Sequence, residues 1–164
     1  MQVCHVIRGI ERALIQKIFK FEMSSSVNVN AKPFRVWEVL TEVSDWPAWS
    51  TVCTDVWNVP GDGITSVGKN FGFKLRIGGR QIPFNVSVTR VESSEAIEWS
   101  STKFSITAVR TISVAAHGTG SRVVDSKVFS SPILPIGVAY PRWLIRRMTE
   151  SWLNDIKMES ERSS

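Results

Sequence analysis

Three charged residues, Arg110, Asp125 and Lys127, are predicted to face the inner side of one β-hairpin. Polar and apolar residues alternate over 104–114, and the turn-forming residues of 117–120 bring the next strand alongside. Burial of charge costs free energy unless the charges are paired or reach water. The trio therefore predicts one of two arrangements. It is either the polar end of an otherwise apolar cavity, which orients a carbonyl or anionic group of a ligand, or a structural ion network that is closed or solvated.

The register of this hairpin decides how the trio can pair. It places Arg110 opposite Lys127 and leaves Asp125 diagonal to Arg110, so we expect Asp125 to neutralise one cation and leave the other available. Arg110 is the residue that we expect to contact a ligand. Asp125 is a weak candidate for a catalytic base, because nearby cations lower the pKa of a carboxyl group. The trio thus favours binding over catalysis.

Other catalytic arrangements are missing from the sequence. The two histidines, His5 and His117, complete no Ser-His-Asp or Cys-His set, and no glycine-rich phosphate loop occurs. No cluster has the ligand spacing of a metal site, and we expect neither a metal nor a cofactor. Cys4 and Cys53 are too few for a disulfide framework, which is typical of a reduced, intracellular protein.

The strands that flank this hairpin continue its apolar face. Gly78-Gly79 is a two-residue hairpin signal, and the resulting register pairs Phe73 with Phe84 and Phe71 with Val86. A slip of one residue would turn one strand's apolar face outward, so this agreement supports the register. The residues expected to line a cavity together with the trio are Phe71, Phe73, Phe84, Trp99, Phe104, Phe129, Met148 and Trp152.

Helices are predicted only at the two ends of the run of strands. A helical segment with an early proline covers 31–43, a turn-like one covers 44–49, and a long amphipathic helix starts near Tyr140-Pro141 and ends near Glu159. A sheet that meets only one long helix must curl around it to bury its apolar face. The sequence therefore predicts an α+β helix-grip fold. A curled antiparallel sheet wraps around the C-terminal helix, and two short helices follow the first strand.

The opening of this domain carries a family resemblance. A strand that ends at Asn30-Ala31, a helix with Val36-Trp37 and Val39-Leu40, and the segment Asp45-Trp46-Pro47-Ala48-Trp49 resemble the START-like, Bet v 1-like (SRPBCC) superfamily. Within it the chain is most similar to the polyketide cyclase/dehydrase and lipid-transport group. The resemblance implies binding or transport of a small hydrophobic ligand, such as a lipid or a polyketide-like or isoprenoid-like molecule, in an internal cavity. A small cyclase, aromatase or dehydratase for a polyketide-like substrate and a protein-interaction module remain alternatives, because this fold hosts many functions.

Residues 1–22 precede the part that resembles the family. They show a helical apolar stripe with basic residues largely elsewhere. The stripe consists of Ile7, Ile10, Leu14, Ile18 and Phe21. Three interpretations remain for this amphipathic extension: an organellar presequence, a membrane-surface or partner-binding helix, or a start assigned upstream of the true one at Met23. We place the domain at 23–162 and expect it to fold without residues 1–22.

The loop after the last strand carries three large apolar residues, Ile133, Leu134 and Ile136, interrupted by prolines that predict no regular structure. In the resembled family this region lies beside the cavity mouth. One interpretation is a gate or a lip that transiently touches a membrane, because exposed apolar patches mark such sites. The other is that the loop folds back onto the terminal helix.

Composition limits the partners. A net charge of +5 is too mild to indicate nucleic acid, and no basic stripe is interleaved with aromatic residues. No apolar run approaches the roughly 18 residues of a membrane span. We expect a small hydrophobic ligand, no nucleic acid, and a monomer or weak dimer. The expected location is the cytoplasm, or an organelle if residues 1–22 act as a presequence.

Overall fold

The computed structural model describes residues 18–162. The strands are β1 (Lys20–Val29), β2 (Cys53–Trp57), β3 (Asn70–Ile77), β4 (Arg80–Glu92), β5 (Ala96–Lys103), β6 (Ile106–His117) and β7 (Gly120–Ser130). The helices are α1 (Pro33–Thr41), α2 (Trp46–Trp49), α3 (Ile136–Ala139) and α4 (Arg142–Glu161), with a 3-10 turn at Val43–Asp45 before α2. All seven strands form one antiparallel sheet in the order β1-β7-β6-β5-β4-β3-β2. The predicted α+β fold, with a curled sheet, a long C-terminal helix and short helices after the first strand, is confirmed.

Both predicted hairpin registers are confirmed. In β3 and β4, Phe73 lies opposite Phe84 and Phe71 opposite Val86. In β6 and β7, Arg110 lies opposite Lys127. Because side chains alternate between the two faces of a strand, these registers place the trio and the aromatic residues on one side of the sheet.

The first strand begins earlier than the sequence indicated. β1 starts at Lys20, so the expected domain boundary at Met23 falls inside the strand. Phe21 is only 5% exposed and stacks on Phe129, with the ring centroids 4.7 Å apart. The helical stripe predicted for the extension is therefore wrong at Phe21, whose side chain belongs to a strand. The stripe positions before Ile18 lie outside the described residues.

A buried carboxylate on the long helix α4 joins it to the segment before β2. Asp155 on α4 accepts hydrogen bonds from the Thr51 amide at 2.8 Å and the Thr51 hydroxyl at 2.9 Å, which ties the segment before β2 to the helix. The apolar side of the predicted amphipathic helix is largely buried, with Ile145, Trp152 and Ile156 among its least exposed residues. This attachment holds α4 against the concave face of the sheet.

One tryptophan fills part of the space between the sheet and α4. Trp46, at the start of α2, is buried and lies 4.9 Å from Trp152, 5.8 Å from Phe71 and 6.0 Å from Trp99, measured between ring centroids. Edge-to-face and tilted aromatic pairs of this kind add to the free energy gained from burial of apolar area. The core beside α2 is therefore a closed aromatic cluster.

Two local predictions are wrong. Phe104 was expected on the inner face of a strand, but it lies in the two-residue turn between β5 and β6 and is 81% exposed. The backbone bends there with positive φ at Phe104 and Ser105, which ends the alternation early. The two prolines near Ile136 were expected to exclude regular structure, yet α3 begins directly after Pro135, because proline restricts the chain that precedes it more than the helix that follows.

Candidate functional site

A cavity lies between the sheet and the first half of α4. It consists of an inner chamber of about 80 Å³ and an outer chamber of about 420 Å³. The two chambers share wall residues, among them Phe84, Phe129, Tyr140 and Ile145, and therefore adjoin. β3 to β7 supply one wall, and α4 with the residues just before it supplies the other.

The inner chamber has apolar walls and a polar end. Its apolar lining includes Phe73, Leu75, Phe84, Trp99, Phe129 and Met148. Arg110 from β6 and Lys127 from β7 bring the charge, and Ser101 and Tyr140 add hydroxyl groups. Cavities with mostly apolar walls and a few placed polar groups are typical of sites for small molecules.

The trio forms a compact, buried ion network. Asp125 is fully buried and accepts hydrogen bonds from Arg110 Nη2 at 2.6 Å and from Lys127 Nζ at 2.7 Å. Nη2 of Arg110 donates to Oδ2, and Nε also donates to Oδ1 at 3.2 Å, so two donors contact both carboxylate oxygens and the contact is bidentate. The expectation that Asp125 pairs with one cation and leaves the other available is wrong, because Asp125 lies between the two and contacts both.

Arg110 keeps hydrogen-bonding capacity beyond this network. A guanidinium group has five N–H donors, and only Nε and one N–H of Nη2 donate to Asp125. The other three have no hydrogen-bond acceptor within residues 18–162. The guanidinium carbon lies 5.4 Å from the ring centroid of Trp99 and 5.1 Å from that of Trp152, so aromatic faces stabilise the charge in place.

Lys127 is the surplus cation of the trio. Burial is the main cause that lowers the pKa of Lys127, the charge of Arg110 lowers it further, and Asp125 opposes both; the result is a pKa of about 7. Burial alone would raise the pKa of Asp125, but the charges and hydrogen bonds of Arg110 and Lys127 outweigh it and hold that pKa below its usual range. Asp125 is thus a carboxylate at neutral pH, and Lys127 changes charge near pH 7.

The structure places the predicted cavity residues in four different locations. Those on the wall of the inner chamber are Phe73, Phe84, Trp99, Arg110, Lys127, Phe129 and Met148. Phe71 and Trp152 instead pack in the aromatic cluster around Trp46. Asp125 lies behind the two cations, and Phe104 stands at the outer chamber with its ring in solvent.

Sequence reasoning missed two contributors to the site. Thr149 on α4 accepts a hydrogen bond from Lys127 Nζ at 2.8 Å, and Tyr140 borders both chambers. Thr149 follows Ile145 by one helical turn, so it lies on the same inner face of α4, and that spacing was the available signal. Burial raises the pKa of Tyr140, which keeps its hydroxyl group protonated at neutral pH.

Other reactive groups do not form a second centre. Within residues 18–162 no set of histidine, cysteine, aspartate or glutamate side chains is placed to hold a metal ion. Cys53 is a buried free thiol, and burial raises its pKa to about 11, which makes it a poor nucleophile. In the same part of the chain no helix has the length and apolar character needed to cross a membrane.

Comparison with known proteins agrees with this geometry. The sequence profile of a family described as polyketide cyclase / dehydrase and lipid transport matches residues 20–158. The chain belongs to this family. Family membership is compatible with ligand binding and with cyclase or aromatase chemistry. A search of curated protein sequences finds no significant match.

Solved structures show the same fold at low sequence identity. The major latex-like protein 151 of Panax ginseng superposes with a TM-score of 0.74 at 12% identity, over 87% of this chain and 98% of that one. A START superfamily protein from Mycobacterium smegmatis superposes with a TM-score of 0.70 at 15% identity, over 87% of this chain and 99% of that one. The Zhui aromatase/cyclase from a Streptomyces species superposes with a TM-score of 0.73 at 14% identity, over 87% of this chain and 94% of that one. The predicted resemblance to the polyketide cyclase/dehydrase and lipid-transport group is confirmed by the family profile, and these structures confirm the predicted fold.

Proposed function

We propose that this protein binds a small apolar molecule with one polar end in the cavity between the sheet and α4, and carries it. The observation that supports this most directly is the asymmetry of the inner chamber, in which apolar walls end at Arg110 and Lys127. Removal of an apolar body from water supplies the affinity, and placed donors fix its orientation. A ligand of this kind inserts its polar group toward the trio.

The polar end of the ligand is a hydrogen-bond acceptor. Arg110 retains N–H groups that donate, and the ionised trio carries one net positive charge, because Asp125 neutralises only one of the two cations. A carbonyl oxygen or a carboxylate matches these donors. A cationic or donor-only group would leave buried N–H groups unpaired and lose affinity.

Catalysis of a cyclase type receives less support from this site. Proton abstraction needs a base whose pKa lies near the working pH. Asp125 is fully buried behind its two cationic partners, and its pKa is lowered rather than raised. Binding and transport of a ligand therefore account for the trio better than acid–base chemistry on a polyketide-like substrate does. They also account for it better than a role limited to protein interaction. The cytoplasmic location and the monomeric or weakly dimeric state remain predictions.

A pair of variants on one strand tests the proposal. Ala108 lines both chambers, so Ala108→Phe fills the cavity without replacing a member of the trio. Ala116 lies exposed near the end of the same strand, and Ala116→Phe is the matched control. With 2-naphthoate as the probe, which joins an apolar body to a carboxylate, calorimetry should show binding to the unmodified protein and to Ala116→Phe. Ala108→Phe should not bind.

Equal binding by Ala108→Phe and the unmodified protein would contradict the cavity as the site. Absence of 2-naphthoate binding to the unmodified protein would contradict the proposed ligand class. Circular dichroism of both variants verifies that the introduced rings leave the fold intact.

We also propose that the cavity mouth touches a membrane when the ligand is loaded. The chain from 133 to 144 exposes Ile133, Val138 and Trp143, the last with 69% of its surface in solvent. The same segment contributes Tyr140, Pro141 and Leu144 to the outer chamber. Of the residues first expected to form this lip, Ile133 and Leu134 are exposed, whereas Ile136 is buried against Phe21 and Phe129.

Anionic lipid is the surface that this mouth fits. Arg80 and Lys103 border the outer chamber beside the exposed ring of Phe104. Apolar side chains flanked by cations favour a membrane with negative headgroups. Trp143→Ser should weaken sedimentation with phosphatidylserine-containing vesicles by roughly tenfold, whereas Trp57→Ser on β2 should not. Equal sedimentation of both variants would contradict this contact.

A further inference from the structure

Lys127 has a nitrogen with one direction left open. Its Nζ donates to Asp125 Oδ1 at 2.7 Å and to Thr149 Oγ1 at 2.8 Å. Both partners act as acceptors, because Asp125 is a carboxylate and the hydroxyl proton of Thr149 is donated to the carbonyl oxygen of Ile145 at 2.8 Å. A tetrahedral nitrogen has four directions, of which Cε and these two hydrogen bonds occupy three. The fourth direction carries a third proton in the ammonium form and a lone pair in the amine form.

Lys127, whose nitrogen has this open direction, is a residue of the cavity wall. Lys127 is only 5% exposed, yet it lines the inner chamber. Within residues 18–162 Nζ has no hydrogen-bond partner beyond Asp125 and Thr149. The two hydrogen bonds fix the nitrogen, so the amine of this lining residue is positioned rather than mobile.

The surroundings favour the amine form. Asp125 from β7 is the shared counter-charge of Arg110 from β6 and of Lys127, so one carboxylate faces two cations. Thr149 from α4 carries no charge, and Tyr140, the remaining titratable group of the chamber, has a raised pKa. The pKa of Lys127 falls to about 7, so a large fraction is deprotonated at neutral pH. A desolvated lysine beside another cation is an activated nucleophile.

We propose that Lys127 forms an imine with the carbonyl group of the bound ligand, which is therefore an apolar aldehyde or ketone. This inference rests on the proposed ligand-binding function and narrows it to one chemical class. The geometry that carries it is the juxtaposition of a fixed, partly unengaged amine with the N–H groups of Arg110 at the polar end of an apolar chamber.

The reaction balances without any further reagent. The lone pair of Nζ attacks the carbonyl carbon and forms a C–N bond, while one N–H proton passes to the oxygen and gives a carbinolamine. The second N–H proton then leaves with the hydroxyl group as water, the C–O bond breaks, and a C=N bond remains. Arg110 can donate to the oxygen while negative charge develops on it. Hydrolysis by the same steps in reverse releases the ligand.

Reductive trapping tests the inference on the full-length protein. 2-Naphthaldehyde is added with cyanoborohydride, which reduces an imine to a stable amine, and intact mass and peptide mapping follow. We expect a mass increase equal to the aldehyde less one oxygen atom, located at Lys127. Trapping should increase with pH through a midpoint near 7, since the amine form reacts. Lys127→Met should lose this adduct, and Lys74→Met, at a half-exposed lysine paired with Asp55, should keep it.

Two results would overturn the inference and remain distinguishable. If 2-naphthaldehyde and 2-naphthoate both bind by calorimetry but peptide mapping of the unmodified protein finds no adduct at Lys127, the imine is refuted and the proposed binding function stands. If neither compound binds, the proposed function fails together with the inference. Mapping on the unmodified protein gives this answer even if Lys127→Met does not fold.

Discussion

The stability of this protein should depend on pH through Lys127. Its pKa is about 7 in the folded protein and 10.5 in an exposed lysine. Between these values the unfolded chain binds a proton that the folded protein does not, so the free energy of unfolding increases with pH. Below pH 7 both states are protonated, and this contribution has reached its minimum.

The expected magnitude follows from the two pKa values. The slope approaches about 1.4 kcal/mol per pH unit, and its integral from pH 7 to pH 9 is about 2 kcal/mol. Above pH 9 a second group opposes the gain. Burial raises the pKa of Cys53 from 9.0 to about 11, so its unfolded thiol ionises first and stability is lost as pH rises. From pH 7 to 9 the gain from Lys127 exceeds the loss from Cys53.

Urea denaturation at several pH values in this range provides the assay, with Lys127→Met as the comparison. The variant retains the bidentate Arg110–Asp125 pair as a buried pair without surplus charge, so it should fold. We expect the unmodified protein to gain about 2 kcal/mol over this range relative to the variant. Equal slopes for the two proteins would refute the reasoning, because the titrating group would then not be Lys127.

Three further changes should alter stability in predictable ways. Asp125→Asn leaves two buried cations without a carboxylate and should cost about 3–5 kcal/mol by urea denaturation at neutral pH; a loss below about 1 kcal/mol would show that water already solvates the trio. Removal of residues 1–17 should leave the thermal midpoint nearly unchanged. Removal of residues 1–22 also deletes the buried ring of Phe21 and should lower the free energy of unfolding by about 3–5 kcal/mol. Identical midpoints for the two truncated proteins would contradict the role of Phe21 in the core. Ser105→Gly should stabilise the protein by about 1 kcal/mol, because Ser105 has a φ of +62°, and a destabilised variant would speak against relief of backbone strain in this turn.

Strand pairing could be predicted because it depends on a short-range rule. Side chains alternate with a period of two, and a correct register brings apolar residues opposite one another. This placed Phe73 opposite Phe84 and Arg110 opposite Lys127 without knowledge of the tertiary structure. The shared orientation of the charged trio followed from the same rule.

Features that depend on side-chain torsions or on competing contacts could not be predicted from the alternation of side chains. The contact of Asp125 with both cations depends on how its carboxylate is turned, which register does not determine. The turn at Phe104-Ser105 carries no glycine or asparagine to mark it, and the alternation of polar and apolar residues continues through it. The size of the cavity depends on how much of the interior Trp46 fills, which is a property of the assembled core.

The most direct test of the account compares two ligands that share one apolar body. 2-Naphthoate carries a polar end and naphthalene does not. The affinity of each ligand is measured for the unmodified protein and for Arg110→Met, and the two losses of affinity are compared. If the polar end of the ligand meets Arg110, the variant should bind 2-naphthoate more weakly by about 1.5–3 kcal/mol, roughly 10- to 150-fold, while naphthalene affinity stays unchanged. An equal loss for both ligands, or no loss for either, would contradict the account.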